Sequence, residues 1–284
     1  MLSQRIISSI VLLVIFVSFY FFLDPIFFGG LVIFIGGFLL FELSKILKIK
    51  GISALFYWVL ATLPILTYFY YYLSYSSSFF NSLLVQYDTF LIHQIYDSYI
   101  LIFAPFTLFF WFLIVPIDIF YKKISSNPLI KVFYGLIYIT PMLLSLLFFF
   151  YGDKDFLIIL LLMIWFADIG AYFVGKNFGS IKIAKNISPG KTFEGLLGGF
   201  VCNIIFVFFW FSYLNLSLIE GFLLAFLVTA LSLYGDIYES FLKRMAKIKD
   251  SSSLIPGHGG FLDRLDSFCP TIPILYITFG YLYI

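Results

Sequence analysis

Apolar positions along this chain come in long unbroken runs rather than in alternation or narrow stripes. An α-helix needs roughly 20 apolar residues to cross the hydrocarbon of a bilayer. Nine runs approach that length, at about 5–23, 26–43, 53–73, 99–120, 132–151, 155–175, 193–214, 217–238 and 268–284. Barrel strands would alternate over shorter segments. The pattern therefore predicts an all-α polytopic membrane protein with about nine transmembrane helices. Residues 74–98 mix polar and aromatic positions and fit a loop, an interfacial helix or a re-entrant segment.

The polar positions between the runs test that reading independently. With nine spans and the N-terminus inside, sixteen of the seventeen Lys and Arg residues fall on the inner side. Only Lys154 lies outside, flanked by Asp153 and Asp155. Cytoplasmic segments attract Lys and Arg, so the expected topology is N-in, C-out. Composition agrees: 62% of residues are hydrophobic and 11% charged, against about 25% charged in a soluble domain. No small-residue cleavage site follows the first run, which predicts an uncleaved anchor. Cys202 and Cys269 form no metal pattern and imply no disulfide; they read as small packing residues.

The chain divides by character near residue 150. Residues 1–150 form an N-terminal bundle of about five spans with short loops. Glu42 and Asp118 lie at inner span ends, where solvation or pairing with nearby lysines accounts for them. Residues 151–284 carry two long inner loops, basic and rich in Gly, Ser and Pro. Both follow spans that end in acidic residues, and the topology puts both on one face of the membrane.

The first loop region reads ADIGAYFVGKNFGSIKIAKNISPGKTFEG, 167–195. A carboxylate in an apolar run, such as Asp168, is expensive and usually faces a polar cavity or a partner; Lys176 or another base would serve as that partner. Ser188, Lys191 and Thr192 surround Gly190 just before a helix that Ser188 or Thr192 can cap, and a helix start favours anions. The glycine spacing is not that of a P-loop.

The second region reads YGDIYESFLKRMAKIKDSSSLIPGHGGFLDRLDS, 234–267. Asp236, Ser240, Lys243 and Lys247 share one face of a helix extending the eighth span. Glu239 precedes Lys243 by four residues, the favourable order for a salt bridge. Asp236 has no basic residue three or four positions away and reads as a metal ligand or a base. Gly257, Gly259 and Gly260 let backbone N–H groups approach an anion. Asp263 and Asp266 face the same way if helical. Carboxylates with substrate phosphates suit Mg²⁺, and Lys243, Arg244 and Arg264 suit phosphates. His258 fits a proton-transfer group, a phosphate donor or a structural residue. One histidine builds no zinc site. The residues thus point to phosphate and Mg²⁺ chemistry on a substrate held at the lipid boundary.

Residues 240–266 resemble the C-terminal motif of phosphatidate cytidylyltransferases, the CDP-diacylglycerol synthases. Every fixed position is present: Ser240, Lys243, Arg244, Lys249, Asp250, His258, Gly259, Gly260, Asp263, Arg264 and Asp266. The stretches 167–172 and 188–195 resemble two further blocks of that family, with Ile169 and Gly190 as departures. The resemblance covers roughly the last 120 residues.

It implies that CTP and phosphatidate give CDP-diacylglycerol and pyrophosphate in phospholipid biosynthesis, with Mg²⁺ as cofactor. A second, monovalent cation is compatible with the site, as is a homodimer. Asp236 and Asp263 would share the metal, with Asp266 as a further candidate. Lys243, Arg244 and Arg264 would hold phosphates, and His258, Gly259 and Gly260 would line the nucleotide. Asp168, Ser188, Lys191, Thr192 and Ser240 would complete the pocket. The expected partners are the two substrates and the bilayer, with no nucleic acid. The expected location is a bacterial inner membrane, with the active site on its cytoplasmic face. The competing readings are a related transferase acting on a prenyl, archaeol or dolichol-type lipid, and a membrane transporter. A transporter would carry its charges at mid-membrane in broken helices.

Overall fold

The structure is a computed structural model that describes residues 25–76, 103–214, 216–255 and 259–283. In chain order, its helices begin with α1 (Pro25–Leu47), α2 (Ile52–Ser76), α3 (Phe103–Tyr121), α4 (Pro128–Gly152) and α5 (Lys154–Phe178). A hairpin of β1 (Lys182–Ala184) and β2 (Ser188–Thr192) follows, then α6 (Phe193–Leu214), α7 (Leu218–Ala246), the short α8 (Leu262–Leu265) and α9 (Phe268–Tyr283). Among the described residues seven helices are long and apolar enough to cross a bilayer, and a shorter apolar helix covers Phe268–Phe279. The protein is therefore a mostly helical polytopic membrane protein. The first predicted span, His258 and residues 77–98 of the ambiguous stretch lie outside the described residues.

The all-α expectation departs at one place. A two-stranded antiparallel hairpin pairs Lys182 with Thr192 and Ala184 with Ser188, where a loop was expected. Ile181 passes its carbonyl to Phe193 N–H at 2.9 Å, so the hairpin runs directly into α6.

Two compact units make up the chain: Met1–Phe148 with Asp250–Asp263, and Phe149–Lys249 with Arg264–Ile284. In the first, Gly36 and Gly135 lie where a Cβ would strike Leu143 and the Tyr57 ring, so these helices pack at close range, as membrane helices do through small residues. Within α3, Phe110–Ile114 is wound as a π-helix. That widened turn ends just before Pro116, whose ring would otherwise press on the carbonyl four residues back. Asp118 is buried, 4% exposed, and accepts from the Tyr134 hydroxyl at 2.9 Å, so solvation does not account for it.

In the second unit, α5 and α6 meet through glycines. A Cβ on Gly199 would lie 2.7 Å from the Ala167 carbonyl oxygen, and one on Gly195 2.9 Å from that of Ala171. Asn203 of α6 donates to the Thr229 hydroxyl of α7 at 2.9 Å, deep in the packing. Both long helices are capped from sequence. Asp153 accepts from Phe156 N–H at 2.9 Å at the start of α5, and Ser217 with Glu220 forms a capping box on α7. Helix α7 ends at Ala246, with Lys247 in the left-handed region at φ 63°. Lys247 therefore falls just beyond the helical face that the sequence assigned to it.

Candidate active site

The stretch Ser188–Gly195 folds so that nearly every residue has a visible task. The Thr192 hydroxyl accepts from Gly195 N–H at 3.1 Å and so caps α6. Of the two capping candidates, Thr192 is the one used; Ser188 opens β2, half-buried. The Glu194 carboxylate takes the Ser180 hydroxyl and the Ile181 N–H, the latter at 3.1 Å, which ties the hairpin to the helix. A Cβ on Gly179 would collide with Thr192, and one on Gly175 would lie 3.0 Å from its hydroxyl. With its neighbours fixed, Lys191 turns inward.

Lys191 forms an ion pair with Asp236 of α7, each side chain about a quarter exposed. This is the basic partner that the α7 sequence itself does not supply. Along α7, Ser232, Asp236 and Ser240 follow at intervals of four, so they line one face. The Ser232 hydroxyl donates to Asp168 of α5 at 3.2 Å, and the Ser240 hydroxyl to Asp236 at 3.4 Å. Asp266, in the turn before α9, faces the same group and accepts from Ser267 N–H at 2.8 Å. It reaches that position because α7 carries Gly235 there: a Cβ would collide with the Asp266 carbonyl and with Pro270.

Asp236 thus pairs with the Lys191 ammonium, and Asp168 and Asp266 lie close enough to act on it electrostatically. Burial, and then the charge of Asp236, push the Asp266 carboxyl up to about 8. Burial alone would lower Lys191; Asp236 and Asp168 overcome it and hold the ammonium above the ordinary lysine range. Next to this group, Lys243 pairs with the fully buried Glu239 at 2.6 Å, the salt bridge that the spacing predicts. Arg244, in the last turn of α7, and Arg264, in α8, are exposed.

Gly259, Gly260 and Asp263 belong to the other unit. There the Asp263 Oδ2 accepts from Ser251 N–H at 2.8 Å, the Ser251 hydroxyl at 2.8 Å and Gly260 N–H at 2.7 Å. Gly259 sits at φ +85°, and a Cβ there would press on the Asp263 carboxylate 2.5 Å away. Asp263 and Asp266, three apart in sequence, therefore point at different partners: the first at its own loop, the second at Asp236 and Lys191.

Sequence reasoning missed Glu42. Solvation or a lysine was expected to satisfy it, but it is fully buried and its oxygens are taken by the 251–262 loop. The available signal was a carboxylate closing an otherwise apolar helix, since such residues need a partner.

The cluster can be tested against a divalent cation by its donors. Asp168, Asp236 and Asp266 offer hard oxygen donors of the kind that suit Mg²⁺. Among the described residues no three acidic, His or Cys side chains form a ready-made metal cage. Mg²⁺ does not require one, because it keeps waters and is completed by substrate phosphates. The residues fit.

The sequence matches the model of the cytidylyltransferase family over residues 3–282. The chain belongs to that family. It is similar to the phosphatidate cytidylyltransferase of Haemophilus influenzae, 36% identical over 173 residues, covering 56% of this chain and 59% of that protein. The protein of the same description from Pseudomonas aeruginosa is 44% identical over 121 residues, 42% of this chain and 45% of that one. That of Aquifex aeolicus is 35% identical over 157 residues, 55% and 60%. The chain spans about half the length of the curated relatives it matches.

Proposed function

We propose that this cytidylyltransferase moves the cytidylyl group of CTP onto phosphatidate, giving CDP-diacylglycerol and pyrophosphate. One observation carries the reading. Asp168, Lys191, Asp236 and Asp266 come from motif blocks scattered over a hundred residues of sequence, yet they gather into a single charged cluster. Phosphoryl-type transfer needs little else, since its catalysis is mostly positioning and charge neutralisation.

In this proposal a phosphatidate phosphate oxygen bonds to the α-phosphorus of CTP. The bond from that phosphorus to the bridging β-oxygen breaks, and pyrophosphate leaves with its electron pair. Asp236 and Asp266 would hold Mg²⁺; the family motif also assigns Asp263 to the metal, whereas here its Oδ2 is engaged by Ser251 and Gly260. The ion supplies positive charge against the phosphate oxygens and the leaving group. Lys191 moves from Asp236 toward phosphate as substrate enters. Lys243, Arg244 and Arg264 hold the phosphates, Arg264 through its planar fork. By the family motif His258, Gly259 and Gly260 would line the nucleotide, and Asp168, Ser188, Thr192 and Ser240 would take part in substrate binding. Nine spans, N-in and C-out in a bacterial inner membrane, would open this site to cytosolic CTP; the one-sided distribution of Lys and Arg supports that orientation.

Purified protein given CTP, Mg²⁺ and phosphatidate should release pyrophosphate and form CDP-diacylglycerol. Release with a prenyl-type lipid alone would move the chain to a related transferase. Release with neither lipid would refute the proposal.

A further inference from the structure

Glu42 has no task in the reaction proposed above, yet it is among the most fully engaged side chains in the first unit. It is entirely buried near the end of α1. Four donors from one loop converge on its two oxygens. Oε1 accepts from the Ser252 hydroxyl at 2.5 Å and Phe261 N–H at 3.1 Å. Oε2 accepts from Leu262 N–H at 2.8 Å and shares the single Ser251 hydroxyl proton, 3.0 Å away, with Asp263 Oδ2. One turn earlier on α1, Phe38 stacks on Phe261 with ring centroids 5.2 Å apart. Gly260 closes the arrangement, because a Cβ there would run into both Glu42 oxygens and the Ser251 hydroxyl.

The chemistry selects a carboxylate. All four partners donate, so an acceptor-only group satisfies every one, and hydrogen bonds to a charged acceptor are about twice as strong as neutral ones. The loop held in this way carries Gly259, Gly260 and Asp263, and Asp263 fastens it again from inside through Ser251 and Gly260.

We infer that Glu42 is a positioning residue that latches the glycine loop to α1 and so sets the phosphate-binding backbone for the nucleotide. The inference rests on the cytidylyl-transfer reading for its kinetic consequence, but not for the latch itself. Glu42→Gln places an amide donor against N–H donors and should open the latch. Glu42→Asp keeps both acceptor oxygens one methylene shorter, and Ser252→Ala removes a single donor.

The test measures KM and kcat for CTP and for phosphatidate in the full chain, with amide exchange of Phe261 and Leu262 alongside. Glu42→Gln should raise KM for CTP about tenfold, the factor that accompanies loss of roughly one charge-assisted hydrogen bond, with KM for phosphatidate unchanged. Glu42→Asp should recover part of that loss, and exchange at Phe261 and Leu262 should quicken about tenfold in Glu42→Gln. Unchanged KM for CTP in both Glu42→Gln and Ser252→Ala would overturn the positioning role. So would a fall in kcat alone that tracks thermal stability. If Glu42→Gln does not fold, Ser252→Ala and Glu42→Asp decide by the same readouts. If the wild-type protein turns over no CTP, the functional reading fails by itself; unchanged amide exchange in the variants would then refute the latch, and faster exchange would uphold it.

Discussion

Replacing Lys191 by Met tests whether the charged cluster is a real energetic unit. An exposed ion pair contributes ~0–1 kcal/mol, whereas removing one partner of a fully buried pair costs about 3–5 kcal/mol. Lys191 and Asp236 are each about a quarter exposed, so the expected loss lies between, at about 1–3 kcal/mol. Asp168 and Asp266 also lean on the same ammonium, which places the value toward the upper end. For a chain of this size each kcal/mol lowers Tm by roughly 2–4 °C. Thermal unfolding in detergent at neutral pH, with EDTA, should show that fall for Lys191→Met. Asp236→Asn should cost less, because it also removes one of the crowded carboxylates. The double variant should be less destabilised than the two single losses added together, by about 1 kcal/mol or more, since contacting residues couple. Strictly additive losses would mean that Lys191 and Asp236 do not pair in the folded protein.

Further expectations concern chemistry, pH and packing. Asp236→Asn and Asp263→Asn should each abolish pyrophosphate release at any workable Mg²⁺ while leaving the helical circular dichroism intact; a near-normal rate would remove that residue from the metal site. Asp266 is pushed up to about 8, well above the ordinary value near 3.9, so the folded state holds one more proton than the unfolded state between those limits. Stability of the metal-free protein should therefore fall as pH rises from about 4 to about 8. Asp266→Asn should flatten that slope in a series of melting curves, and an unchanged slope would clear Asp266 of responsibility. Gly199→Ala would bring a methyl group within 2.7 Å of the Ala167 carbonyl oxygen; it should cost about 1–3 kcal/mol by overpacking, and an unshifted melting point would refute the close approach of α5 and α6.

The helices were legible because a bilayer leaves few alternatives. A long apolar run must satisfy its own backbone hydrogen bonds, and only a helix does so within one segment. The predicted runs at 132–151, 155–175, 193–214 and 217–238 appear as α4 to α7, with ends moved by the caps at Asp153 and Ser217 and by the left-handed residue Lys247. The hairpin was not legible. Its strands are three and five residues long, they include Pro189 and Gly190, and their pairing is fixed largely by the tie from Glu194 to Ser180 and Ile181. No local periodicity announces such a contact.

The site shows the same divide between local and distant information. The Glu239–Lys243 pair follows from spacing alone and is present, and of the two cap candidates that spacing leaves, Ser188 and Thr192, the second is used. The pairing of Asp236 with Lys191 and the grip of Glu42 on Ser251 and Leu262 join positions about 45 and more than 200 residues apart. What the sequence does display at Asp236 is a deficit, a carboxylate at the edge of an apolar helix with no base one turn away. At Glu42 a base does lie one turn on, Lys45, but its ammonium sits over the Phe41 ring. The need for a partner is physical information, because an unpaired charge there costs several kcal/mol. The chain meets it in two ways. At Asp236 a lysine answers, and a lysine can be drawn off by a phosphate. At Glu42 two N–H groups and two hydroxyls answer, and no substrate displaces a backbone donor without unfolding the loop. The type of partner thus separates a carboxylate available to chemistry from one committed to holding the loop in place.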